Sequence, residues 1–154
     1  MLSEDERRDI ETIVGRHPSR KAGCLEALRV IQDRRGWVSD EAVRDVAAAV
    51  GLTPDELDGS ATFYSLIFRK PVGRHVILIC DSISCWILGY EGILDRLRSR
   101  LGIGVGETTP DSRFTLLPVC CLGACDRAPA IMIDNDFYGD VTPEGLETIL
   151  EKYQ

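Results

Sequence analysis

Four things are scarce in this 154-residue sequence: histidine, of which there are two, Cys-x-x-Cys motifs, basic stripes and long apolar runs. Each shortage removes a class of function. The apolar run "VILIC" at 76–80 is strand-length, far short of the roughly 18 residues a membrane span needs, so no direct membrane insertion is expected. The N-terminus "MLSEDERRDI" is charged from its fourth residue, unlike a secretory signal, which makes a cytoplasmic location the expectation. The net charge is −7. Up to Lys70 there are 11 basic and 13 acidic residues, and beyond it 7 and 12. Neither part offers the lysine and arginine that displace counterions from a phosphate backbone, so nucleic acid is excluded as a partner. An acidic surface also repels anionic lipid. Small molecules, metals and protein partners remain.

Periodicity divides the chain near residue 70. Ser3 and Glu6 have the S-x-x-E form of a capping box, ahead of Ile10, Ile13 and Val14 on one helical face. A second segment carries Cys24, Leu25, Leu28 and Ile31 and stops at Gly36. Ser39 caps a third, with Val43, Val46 and Val50 in register and Gly51 at its end. "TPDE" at 53–56 starts a fourth, with Thr53 as cap and Pro54 at the first helical position. Residues 1–70 therefore read as a helical bundle whose apolar stripes form a core. Past "FRKPVGR" the period shortens: "HVILIC" (75–80), "RFTLLPVC" (113–120) and "AIMID" (130–134) read as strands. A helix with Tyr90, Ile93, Leu94, Leu97 and Leu101 follows the first of them. A last helix is capped by Thr142 and opens on Pro143. Strand, helix, strand, strand, helix is an α/β sandwich order, that of the C-terminal part of a thioredoxin-like fold, and it spans residues 71–154. "GIGVGE" (102–107) follows a helix and leads into a turn, whereas a dinucleotide fingerprint follows a strand and opens a helix. The chain thus shows no nicotinamide or flavin site of its own.

What the sequence has in plenty is cysteine. There are six, and three of them crowd into "LLPVCCLGACDRAPAIMID" at 116–134. A reducing compartment disfavours structural disulfides, leaving metal binding or redox chemistry. Cys24, isolated in a helix, suits a buried apolar role. The others form Cys80-x4-Cys85 and, after 35 intervening residues, Cys121-x3-Cys125. Each pair sits in a loop beyond a strand, so neighbouring strands would bring four thiols to one sheet edge. Four thiolates suit a [2Fe–2S] cluster, in which each iron takes two cysteine sulfurs. Zinc also accepts four thiolates, more often from tighter knuckles, and a thiol–disulfide pair is a third reading that the missing Cys-x-x-Cys disfavours. Gly123 permits a tight turn that aims amide N–H groups at sulfur, Asp81 and Ser82 offer a turn or a further donor, and Pro129 biases Ala128 toward extended backbone. Cys120 and Cys121 cannot both face a cluster on a continuing strand, and spacing allows either to partner Cys125. His17 and His75 lie far apart, and neither stands at a ligand spacing from a cysteine, which excludes a Rieske-type centre.

The stretches "ATFYSLIFRKPVGRHVILICDSISC" (61–85) and "FTLLPVCCLGACDRAPAIMID" (114–134) closely resemble the E-subunit family of bacterial NADH:quinone oxidoreductase, respiratory complex I. The likeness runs through nearly the whole chain, including "ALRVIQDRRGWVSDEAV" at 27–43, and C-D-S-x-x-C with C-L-G-x-C at this separation is a specific combination. The resemblance implies an N-terminal helical bundle and a thioredoxin-like domain carrying one [2Fe–2S] cluster. It implies ligands Cys80, Cys85, Cys121 and Cys125, with Cys120 a bystander. It further implies docking, in the peripheral arm of a membrane-associated complex, against the subunit that holds FMN and binds NADH. There the cluster would exchange single electrons with the flavin, off the main path. The equivalent subunit of a soluble NAD-dependent formate dehydrogenase or NAD-reducing hydrogenase shares the motif. A zinc-stabilised interaction module and a thiol oxidoreductase are the readings from other classes.

Overall fold

The computed structural model describes Met1–Tyr153. The chain separates into two compact units, Met1–Pro71 and the part that begins at Val72.

The first unit is built from α1 (Glu4–Val14), α2 (Cys24–Arg35), α3 (Asp40–Val50) and α4 (Pro54–Phe63), with a turn of 3-10 helix at Arg20–Gly23. The starts and stops are those the sequence announces. Ser3 accepts from the Glu6 amide while Glu6 closes the box, Thr53 and Glu56 repeat the arrangement, and the Ser39 hydroxyl accepts from Ala42 N–H. Gly36 and Gly51 end α2 and α3 in the left-handed conformation that only glycine adopts without strain. Ile10, Leu28, Ile31, Val46, Val50 and Leu57 are fully buried among these helices.

One polar group is buried with them. Glu6 is 4% exposed and does two jobs at once. Its carboxylate accepts the Ser3 N–H at 2.7 Å, and it takes a two-pronged bond from Arg35, Nε at 2.7 Å and the terminal nitrogen at 2.6 Å. The start of α1 is thereby tied to the end of α2, where a cation also suits the helix dipole. The Arg35 bond, opposed by burial and aided by Ser3, holds the Glu6 pKa at about 2, well below the usual carboxylate range. A depressed folded-state pKa means stability that is present above the unfolded value and lost as pH falls toward the folded one. The bundle should therefore lose about 2–3 kcal/mol between pH 5 and 2 through this group alone. Urea unfolding followed by helical circular dichroism across that window should show the slope, and Glu6→Gln should flatten it. An equally steep slope in Glu6→Gln would place the acid sensitivity elsewhere.

The second unit carries a four-stranded sheet in the order β2-β1-β3-β4. Its strands are β1 (His75–Cys80), β2 (Phe114–Val119), β3 (Ile131–Ile133) and β4 (Asp136–Tyr138). β1 and β2 are parallel, in register from His75 opposite Phe114 to Cys80 opposite Val119. The crossover between them contains α5 (Ile83–Ile87) and α6 (Tyr90–Leu101), and α7 (Leu146–Leu150) closes the unit. β3 lies antiparallel to β1, and β4 to β3. Alternation along β1 and β3 puts Ile77, Ile79, Ile131 and Ile133 into one core with Leu97 of α6 and Leu146 of α7. This mixed helix-and-sheet architecture is the α/β class expected.

Three local features depart from the sequence reading. β4 is an additional strand, three residues long, returning through the two-residue turn Asp134–Asn135 with Asp134 at positive φ. Its run is too short for alternation to register, and its turn lacks the glycine that usually advertises a hairpin. α5 is five residues long, below the length at which periodicity speaks. The last helix begins at Leu146 rather than Pro143: Thr142 Oγ accepts from Gly145 N–H at 3.1 Å and so closes a turn ahead of the helix. The "GIGVGE" segment is loop, as its context required. Among the described residues, no helix is long and apolar enough to cross a membrane.

Candidate metal centre

Parallel pairing settles where the two cysteine loops go. Because β1 and β2 run the same way and end together, with Cys80 opposite Val119, the chain leaves both strands at the same edge of the sheet. Cys80 is the last residue of β1, and Cys85 lies on α5, one turn into the loop beyond it. Both are buried in one small cluster with Ala130, against which Val119, Leu122, Ala128 and Phe137 pack. Cys121 and Cys125 follow β2 on the exposed side of this group.

The thiols come in pairs. Cys121 Sγ and Cys125 Sγ are 3.8 Å apart, which is the separation of two sulfurs bound about 2.3 Å from one tetrahedral metal. Cys80 and Cys85, both free thiols, lie close enough for each to shift the other's proton affinity. Among the described residues, no group of three or more His, Cys, Asp or Glu is placed to hold a metal ion, so the thiols stand as two pairs. Two thiols per metal atom is the supply a two-iron cluster takes.

The two loops also reach across to each other. The backbone N–H groups of Leu122, from the second loop, and Ser82, from the first, lie near the Cys80 thiol and favour its ionised form. The Ser84 hydroxyl stands within hydrogen-bond range of Cys125. Ala130 receives Cys80 N–H on its carbonyl at 3.2 Å, and its own N–H is near enough to the Cys85 thiol to oppose the rise in its pKa. Gly123 N–H reaches Cys121 Sγ at 3.2 Å, from a backbone position with φ of +78° that a side chain would strain. Backbone N–H groups thus gather around these sulfurs, a setting that offsets charge on thiolate ligands.

The pKa shifts follow from these contacts. Burial pushes the Cys80 thiol up, but the Ser82 and Leu122 N–H groups outweigh it and bring the net value below that of an ordinary thiol. Burial, then the neighbouring Cys80 thiol, holds Cys85 up. The bond to Cys121, with the negative charge that builds there, raises Cys125.

Cys120 is exposed at the end of β2, and the sulfur that meets Cys125 is that of Cys121. Cys24 is half-buried against the helical core, in the other unit. His75 bonds Asp134 at 2.7 Å, at the end of β1 opposite Cys80, and His17 meets Glu26 on the helical unit. Two features at the centre were not read from sequence. One is the part played by Leu122 and Ala130, whose backbone N–H groups lie near the Cys80 and Cys85 thiols; the sequence pointed only to Gly123, Asp81 and Ser82. The other is an exposed apolar face on α5 formed by Ile83, Trp86, Ile87 and Leu88, 55–70% exposed. The signal for it was present in "CWIL" beside a predicted metal ligand.

Residues 10–154 match the thioredoxin-like [2Fe-2S] ferredoxin family. The E subunit of NADH-quinone oxidoreductase from Pseudomonas aeruginosa is 50% identical over 153 residues, covering 99% of this chain and 92% of that one. Its namesake in Escherichia coli K12 is 48% identical with the same coverage. Among solved structures, an NAD+-reducing [NiFe]-hydrogenase in the air-oxidized state matches with a TM-score of 0.73 at 26% identity. That match covers 86% of this chain but only 23% of the hydrogenase chain. This chain belongs to the thioredoxin-like [2Fe–2S] ferredoxin family.

Proposed function

We propose that this chain is the electron-transferring E subunit of an NADH-quinone oxidoreductase, with a [2Fe–2S] cluster held by Cys80, Cys85, Cys121 and Cys125. The observation that carries the reading is the union of two facts: the pairing of thiols at the shared end of two parallel strands, and 50% identity to an E subunit of that enzyme along nearly the whole of both chains. Identity that high across both units favours this assignment over the hydrogenase module, where it falls to 26%. The cluster, when bound, supplies a one-electron store. The chain's own residues do the rest. Cys80 and Cys85 at the end of β1, with Cys121 and Cys125 on the exposed side, would hold the cluster, and the amides of Ser82, Leu122, Gly123 and Ala130 would offset charge on sulfur.

The partner in this reading is the flavin- and NADH-binding subunit, in the peripheral arm of the complex. The exposed α5 face adjoins the buried Cys80–Cys85 pair, so a protein docking there covers apolar surface and comes close to the cluster in one step. Contiguous exposed apolar side chains of this size mark interaction surfaces.

Metal analysis of anaerobically purified chain, with electron paramagnetic resonance, tests the cofactor directly. About two irons and two acid-labile sulfides per chain are expected for a [2Fe–2S] centre, with a rhombic signal that appears only on reduction. One zinc per chain and no colour would overturn the reading and leave an interaction module.

A further inference from the structure

Ser82 occupies an N-cap without acting as one. It precedes α5 with φ −69° and ψ 163°, the extended geometry of a capping residue, yet its side chain bonds no amide of that helix. Ser3, Ser39 and Thr53, in nearly the same backbone conformation, all accept such a bond. Nor does the Ser82 hydroxyl turn to water. Its Oγ is buried and makes no well-formed hydrogen bond to any atom of the described residues. A buried hydroxyl without a partner is costly, so such groups in native proteins have a reason for being there.

The groups around it supply the reason. Ser82 sits between Cys80 and Cys85 in sequence, and its side chain lies near enough to both thiols to act on them, although the hydroxyl forms no well-made bond to either. Its backbone N–H already helps to lower the Cys80 pKa. The hydroxyl proton is free to follow. A hydroxyl has a rotor, so it can swing toward whichever sulfur carries more charge, which a fixed amide cannot do.

We infer that Ser82 is a positioning residue for the cluster's redox behaviour, its hydroxyl donating to sulfur of the Cys80–Cys85 half and favouring the reduced state over the oxidised one. The inference rests on the proposal that these thiols hold a [2Fe–2S] cluster. Reduction adds one electron and no bond changes, so the extra negative charge is shared with the coordinating sulfurs, and a donor aimed at them stabilises that state more than the oxidised state. A residue that only filled space would affect both states alike.

The test is a redox titration of the cluster-loaded full-length chain, followed by electron paramagnetic resonance, for Ser82→Ala, Ser82→Thr and Ser82→Val. Iron and sulfide counts on the unmodified chain come first, and their failure would sink the cluster assignment rather than the role of Ser82. With the cluster present, Ser82→Ala should retain it and lose about tenfold in the equilibrium constant for reduction, which for one electron is about 59 mV toward lower potential. Ser82→Thr keeps the hydroxyl and should stay near the unmodified potential, while Ser82→Val, of the same shape without the hydroxyl, should drop with Ser82→Ala. An unchanged potential in Ser82→Ala would overturn the inference, and so would Thr and Val variants that shift together. If Ser82→Ala sheds its cluster, the Thr and Val pair decides, and loss of the cluster from Ser82→Thr as well would count against a role for the hydroxyl.

Discussion

Cys121→Ser should strip the chain of most of its iron or strongly alter the cluster spectrum, whereas Cys120→Ser should leave both nearly intact. The two thiols are adjacent in sequence and chemically alike, so the contrast isolates geometry. β2 ends at Val119, and the chain then turns so that Cys121 Sγ comes within 3.8 Å of Cys125 Sγ and accepts Gly123 N–H at 3.2 Å. Cys120 lies exposed at the strand end. Replacing sulfur by a hydroxyl at a ligand position exchanges a soft, readily ionised donor for a hard one that holds its proton, and an iron left with three good ligands is open to water and oxygen. Replacing Cys120 removes an exposed thiol. Visible absorption, with iron and sulfide counts on anaerobic preparations, reads both variants. A colourless Cys120→Ser beside a coloured Cys121→Ser would reverse the assignment and make Cys120–Cys125 the pair, a spacing that the sequence alone permits equally well.

That ambiguity shows where the sequence stops. Elements announced by local chemistry were legible: capping boxes at Ser3 and Thr53, glycines ending α2 and α3, and the β-branched run of β1 all mark themselves within a few residues. The division of labour between Cys120 and Cys121 was not, because it depends on the dihedrals of a turn and on a glycine two residues further on. The same holds for the donors around sulfur. Every residue but proline has a backbone N–H, and only the meeting of two loops makes those of Leu122 and Ala130 into part of a site. The convergence itself was inferable, since two cysteine pairs each following a strand meet if the strands are parallel neighbours. Register then makes the meeting close, with β1 and β2 ending at the same level. α5 escaped because five residues carry too little period to be told from a loop.

α5 also bears the second large effect. Trp86→Asp should weaken binding to the partner proposed above, the flavin- and NADH-binding subunit, by about thirtyfold or more, the loss of roughly 2 kcal/mol seen when an interface anchor is removed, with the cluster's spectrum and iron content unchanged. Cys85 faces inward and is 2% exposed. At about 100° per residue, the positions two before and two after it, Ile83 and Ile87, point away, and Trp86 and Leu88 extend the same exposed surface. Large apolar side chains held in water on a short helix gain nothing for the isolated chain. Covering them releases that cost, and tryptophan contributes most because it carries the largest apolar area with a single donor to satisfy. Titration of the purified flavin-binding partner with unmodified chain and variant, with cluster content checked in both, measures the effect. Association through this face should also vary little with salt, since screening acts on charges and the contact is apolar. An unchanged affinity in Trp86→Asp, or one that collapses with modest salt in the unmodified chain, would move the docking surface elsewhere on the molecule. If the affinity falls as expected while the cluster persists, α5 has two faces with two tasks: Cys85 inward to hold the electron store, and Trp86 outward to bring that store to the flavin.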